Sequence, residues 1–199
     1  GEQDVSIIRG DAPGVLLFFR RISCTGSYRP AVAPDDLVQL WQDPGLDTGC
    51  EDTVDQPLQF HGPAHGAEYD VGVRRIPLQV IQREVEVAVV VGAGNLWRGG
   101  SADGAMNRVD ADKMGMLATT MNAITIKNYC NAIGIPVLLQ CAIPTGGFLP
   151  VYDRENAIKA LESGKLVVFA GGTGNPFFTT DTASTLRALE ISCDAVLKA

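Results

Sequence analysis

Apolar and polar positions follow a regular order only from about residue 84 onward, where short apolar runs alternate with amphipathic stretches. VEVAVVV (85–91), closed by GAGN, and LVVFA (166–170), closed by GGTG, are strand-length and rich in β-branched residues, as buried strands are. IPVLLQCAI (135–143) and CDAVLKA (193–199) read as two further strands. Between them, DADKMGMLATTMNAITIKNYCNAIG (110–134) sets Met114, Leu117, Met121 and Ile124 at helical spacing, which predicts a long helix with these side chains in the core. RENAIKALESG (154–164) predicts a helix that stops at Gly164, and DTASTLRALEIS (181–192) predicts another. Strands alternating with helices mean an α/β domain with a largely parallel sheet, and ligands in such sheets sit beyond the carboxyl ends of the strands. Both glycine-rich stretches fall at such ends.

Residues 1–83 do not share this order. Apolar pieces such as GVLLFF and IPLQVI stand among Pro, Gly, Asp and Gln with no sustained period, and no lysine precedes Lys113. A long stretch without periodicity argues against membership of a compact domain. The chain therefore divides into an atypical segment, 1–83, and an α/β domain, 84–199.

Composition narrows the function classes. With 199 residues, 46% of them apolar, the chain is long enough for a substantial core. A net charge of -7 disfavours duplex nucleic acid but leaves room for a small phosphate ligand. No apolar run is long enough to span a membrane, and GEQDVSIIRGD lacks the pattern of a secretion signal, so a cytoplasmic protein without a membrane partner is expected. The five cysteines form no CxxC pair and read as reduced thiols. His61 and His65 have the spacing of helical metal ligands, but Gly62 and Pro63 break that helix, and no metal site is assigned.

Three stretches carry candidate chemistry. In VVVGAGNLWRGG, the amides of residues 92–95 can approach a phosphate while Arg98 supplies planar charge; the alternative is a tight turn with a solvent-facing arginine. In MNRVDADKMGMLATTMN, Asp112 either caps a helix or holds a ribose hydroxyl. In GGTGNPFFTTD, Thr173, Gly174, Asn175 and Pro176 form a rigid turn, Phe177 and Phe178 read as core or as stacking platforms, and Thr179, Thr180 and Asp181 begin a helix whose N-terminus favours an anion.

In this order and at these separations, the three stretches and the final DAVLKA closely resemble the bacterial-type uridylate kinases of the amino acid kinase superfamily, over residues 85–199. The string TGNPFFTTD is the most specific part. The resemblance implies a three-layer α/β/α sandwich with a mostly parallel sheet, here incomplete at both ends. It also implies Mg²⁺-dependent transfer of the γ-phosphoryl group of ATP to UMP, with hexameric assembly and regulation by GTP and UTP. Matched motif to motif, Gly92, Ala93, Asp112 and Thr173, Gly174, Asn175, Pro176, Phe177, Phe178, Thr179 and Thr180 would hold UMP. Gly94 and Arg98 would meet the phosphates of ATP, and Arg98 and Asp181 would act in catalysis, Asp181 as an organiser of basic groups or Mg²⁺.

The chain departs from the family pattern in three ways. Ala93 stands where the family has the middle glycine of Gly-Gly-Gly-Asn, which would strain a positive φ. The family's first strand ends in Lys-Leu-Ser-Gly, and no lysine here can play that part. Family members also continue beyond VLKA into a segment for the ATP base, so this chain is expected to be inactive as it stands. The other readings are a non-catalytic nucleotide-binding or oligomer-forming relative and, more weakly, a superfamily member acting on a carboxylate or carbamate. Val15, Leu16 and Leu17 resemble the strand before the family's lysine. FRRISCT (19–25) can be encoded so that a one-base shift yields Ser-Gly-Glu-Ser-Leu-Ala, matching the family's continuation. The span from there to Gly92 is longer than the family uses. A disrupted frame or an unremoved insertion in 1–83 accounts for both.

Overall fold

The computed structural model describes residues 85–97 and 106–198, together with the backbone of four short strands at 6–9, 15–21, 59–61 and 68–70. The strands are β1 (Ser6–Arg9), β2 (Val15–Arg21), β3 (Gln59–His61), β4 (Glu68–Asp70), β5 (Val85–Val91), β6 (Val137–Cys141), β7 (Leu166–Ala170) and β8 (Ala195–Lys198). The helices are α1 (Arg108–Ala132), α2 (Arg154–Glu162) and α3 (Thr180–Glu190). Six strands form one sheet in the order β1-β8-β2-β5-β7-β6, while β3 and β4 pair by themselves.

β5 pairs in parallel with β7, and β7 with β6, so their carboxyl ends share one edge. β2 is antiparallel to both β5 and β8, which leaves β8 running the same way as β5. The mostly parallel sheet is as expected, and β2 is its exception. Val15 lies opposite Val91 and Arg21 opposite Val85, so the chain leaves β2 at the edge away from the glycine turns. The strand likened to the family's lysine-bearing strand therefore ends at the opposite edge of the sheet from both glycine turns. Strands β1 and β2 both come from 1–83, where no periodicity announced them.

The sheet separates two cores. Val87, Val89 and Val91 of β5 and Val168 of β7 pack with Ala123, Ile126 and Cys130 of α1 on one face. Ala88, Val90, Val167 and Phe169 pack with Ala157 and Leu161 of α2 and Ala188 of α3 on the other. That is the three-layer α/β/α arrangement. Strands buried on both faces explain why β5 and β7 are near-continuous apolar runs. Arg187 of α3, only 5% exposed, is accommodated by an ion pair with Glu190 and by the Tyr152 ring 3.5 Å away. No helix among the described residues is long and apolar enough to cross a membrane.

Helix α1 presents a different face to the core from the one its apolar spacing predicts. Met114, Leu117 and Met121 are exposed, Met121 by 61%, while Ile124 is half-buried and packs against the core. The buried positions are Ala111, Met116, Ala118, Thr119, Thr120, Asn122, Ala123, Ile126 and Cys130. The physical reason lies in what that face must meet. It runs along the carboxyl ends of β5 and β7, where turn amides and carbonyls need polar partners.

Candidate active site

Two glycine turns and the start of α1 converge at the carboxyl edge of the sheet. After β5, the amides of Leu96 and Trp97 both reach the Ala93 carbonyl, at 2.9 and 2.8 Å, closing a tight turn. Asn122 fastens that turn to α1: its Nδ2 donates to the Gly92 carbonyl (2.7 Å) and to Asn95 Oδ1 (2.8 Å). Among the described residues, Phe177 and Ser192 are the non-glycine residues with positive φ. Ala93 is thus outside the left-handed region, and the strain expected from its methyl group does not arise. Arg98 lies outside the described residues, as does His65, while His61 ends β3.

The turn after β7 is built differently. Gly171 has φ +78°, and a Cβ there would lie 3.0 Å from Cys141 Sγ and 3.1 Å from the Ala142 amide nitrogen. At Gly174, φ +79°, a Cβ would meet the Ala142 carbonyl oxygen at 3.0 Å. Only glycine permits both the backbone conformation and this approach to the end of β6. The Gly171 amide donates to Thr119 Oγ1 (2.9 Å), which fixes the loop to α1. Thr173 Oγ1 accepts from the Asn175 amide at 3.2 Å, and Phe177 adopts φ +70°. Phe177 and Phe178 are 65% and 58% exposed, which removes them from the core. Thr179 caps α3 by accepting from the Thr182 amide at 3.3 Å.

Asp112 joins the two segments. It does not cap α1, whose N-cap is Asn107, accepting from the Asp110 amide at 2.9 Å. One turn inside the helix, Asp112 Oδ2 accepts the Phe177 amide at 2.8 Å, and Arg108 Nε donates to both carboxylate oxygens, at 2.8 and 2.9 Å. Burial pushes the Asp112 carboxyl up, but the Phe177 amide and the hydrogen bond and charge of Arg108 outweigh it and hold the group below its ordinary value. At the other end of the edge, Asp181 Oδ2 pairs with Lys198 Nζ of β8 at 2.5 Å.

Sequence reasoning passed over Arg108, Thr119, Asn122 and Lys198. Thr119 and Asn122 follow Asp112 by seven and ten residues, the spacing of one helical face, and that polar periodicity was a readable signal. No cluster of three or more His, Cys, Asp or Glu suited to a metal occurs among the described residues.

The chain is similar to known proteins over part of its length. Over 116 residues, the chain is 52% identical to a uridylate kinase from Paramagnetospirillum magneticum, a match covering 58% of this chain and 48% of that one. Over 122 residues it is 50% identical to a uridylate kinase from Stutzerimonas stutzeri, covering 61% and 49%. The chain thus spans about half the length of the curated relatives it matches. Among solved structures, the UMP kinase of Bacillus anthracis superposes with a TM-score of 0.57 at 34% identity, over 60% of this chain and 50% of that one. The UMP kinase of Ureaplasma parvum gives 0.50 at 36%, over 53% and 46%. The family model described as amino acid kinase family matches residues 75–199, well over half of the sequence, and by that match the chain belongs to the amino acid kinase family.

Proposed function

We propose that the chain carries the UMP site of a uridylate kinase, which transfers the γ-phosphoryl group of ATP to UMP, giving UDP for pyrimidine nucleotide biosynthesis. The observation that supports this most is the bond from the Phe177 amide to Asp112, across 65 residues of sequence. It joins the two segments that the resemblance assigns to UMP. In the reaction, an oxygen of the UMP phosphate bonds to the γ-phosphorus as the bond from phosphorus to the β,γ-bridging oxygen breaks, releasing ADP. The attacking phosphate is already anionic and needs no strong base, so positioning and charge neutralisation carry the catalysis.

On this reading the amides of the β5 turn and Arg98 meet the migrating phosphoryl group. Asp112 accepts a ribose hydroxyl. The loop 173–180 surrounds the nucleotide. Asp181 organises cations, and its pairing with Lys198 supports that role. Mg²⁺ brought by ATP would supply neutralising charge there, and Asp181 is the residue of this chain that would face it. The assembly and regulation of such enzymes, as hexamers with GTP and UTP as effectors in the cytoplasm, belong to the same proposal.

A second reading, a relative that binds nucleotide without turnover, is favoured by the absence of lysine before Lys113 and by the direction of β2. The nucleotide sequence around codons 15–85 of the parent gene separates the two, because a displaced Lys-Leu-Ser-Gly reading frame belongs only to the kinase. The 199-residue polypeptide is expected to bind UMP saturably by calorimetry and to show negligible turnover. ADP release at about 10 per second in a coupled assay would overturn the expected inactivity. In a full-length enzyme, Arg98→Ala lowers kcat and Asp112→Asn raises KM for UMP; unchanged constants in both remove the site assignment.

A further inference from the structure

We propose that Arg108 is a positioning residue of the nucleotide site: it orients the Asp112 carboxylate toward the Phe177 amide and so fixes the loop 173–178 in its ligand-accepting form. The role of the loop rests on the UMP reading above; the clamp itself rests on geometry.

Phe177 holds a conformation that a bulky residue adopts at a cost of roughly 1–2 kcal/mol, so something must hold it there. Its ring is 65% exposed and buries little. Two contacts remain to offset the strain. One is the bond from its amide to Asp112 Oδ2 at 2.8 Å. The other is the Arg108 guanidinium, 5.9 Å from the ring centroid, near the outer limit of a cation–π contact. Arg108 makes the second and holds the acceptor of the first. Its Nε donates to the two oxygens of Asp112, one helical turn along, which fixes the plane of the carboxylate. The side chain of Asp112 is only 13% exposed, and that of Arg108 53%. Without Arg108, the Asp112 carboxylate would lose its neighbouring positive charge while remaining largely covered by protein.

The same bonds limit what Asp112 can do for a ligand. A carboxylate has about four lone-pair directions. Arg108 and the Phe177 amide together make three contacts with it, two of them on Oδ2. The capacity left lies mainly on Oδ1, enough for one hydroxyl of a ribose rather than a chelated pair. Arg108 thereby decides which oxygen faces the nucleotide.

The test uses the whole 199-residue chain, its Arg108→Ala and Arg108→Lys variants, amide hydrogen exchange and UMP calorimetry. Arg108→Ala is expected to speed exchange at Phe177 about tenfold, leave Gly171 unchanged because Thr119 holds that amide, and weaken UMP binding about tenfold. Arg108→Lys keeps the charge but not the planar contact and should recover part of both. Unchanged exchange at Phe177 in Arg108→Ala overturns the clamp. Faster exchange with undiminished UMP affinity overturns the positioning role. If the unsubstituted chain binds no UMP, the nucleotide reading and the ligand role of Arg108 fall together, while the exchange result still judges the clamp.

Discussion

The two glycine turns lie at the same carboxyl edge of the sheet but are held by different means. The β5 turn avoids the left-handed region at Ala93 and is tied to α1 by the amide of Asn122, which is 2% exposed. The β7 loop has positive φ at Gly171, Gly172, Gly174 and Phe177. It is anchored at its base by Thr119 and by close packing on Ala142, and at its tip by the Phe177 amide on Asp112, which the exposed Arg108 orients. A turn fastened by a buried side chain tolerates a methyl group, that of Ala93. A turn fastened by backbone proximity does not.

Substitution at Gly171 tests the second half of that contrast and should have the largest effect. Gly171→Ala adds left-handed strain to a clash with Cys141 and Ala142, a loss of about 2–4 kcal/mol in denaturant unfolding. Gly172→Ala is its control, because a Cβ there meets only Met116 Cγ at 3.9 Å, and should cost about 1–2 kcal/mol. Equal losses at the two sites would show that backbone proximity is not what fastens the loop. Next in size, Asn122→Ala strips partners from the Gly92 carbonyl and Asn95 and should cost about 1–3 kcal/mol, with faster exchange in the β5 turn and not at Gly171. Ala93→Gly should lower stability by only about 0.4–1 kcal/mol through added freedom in the unfolded chain; a gain would mean that Ala93 is strained after all.

The smallest effect is local and comes with acid. The Asp112 carboxyl lies below its ordinary value of 3.8, so its contribution is fully present above that pH and is lost as pH falls through the lowered folded value. Protection of the Phe177 amide, relative to its intrinsic exchange rate, should therefore fall below pH 3.8 before that of Gly171 does. Simultaneous loss at both amides would erase the difference between tip and base.

The sequence was most legible where one physical demand dominated. β5 and β7 coincide with VEVAVVV and LVVFA because strands covered on both faces must be apolar at nearly every position. α1 was legible as a helix but not in orientation. Its buried face carries Thr119, Thr120 and Asn122 among alanines, since it meets turn backbones as well as side chains, and Met114 and Met121 are turned outward while Met116 is buried. Asp112 was found as a site residue, yet neither role weighed for it included holding a loop amide 65 residues away, a contact that exists only in three dimensions. β1 and β2 gave no periodic signal, and the reversed direction of β2 depends on partners far along the chain.

That placement of β8 also orders events in time. β8 lies between β1 and β2, with Ser6 opposite Ala195 and Leu16 opposite Lys198. During synthesis, β1 has no neighbour in the sheet until residues 195–198 emerge, and the matching side of β2 stays an unpaired edge for the same interval. Closing contacts over such a separation is slow, and an open strand edge invites pairing with other chains meanwhile. Yield on refolding should accordingly fall with protein concentration even where the finished fold is stable.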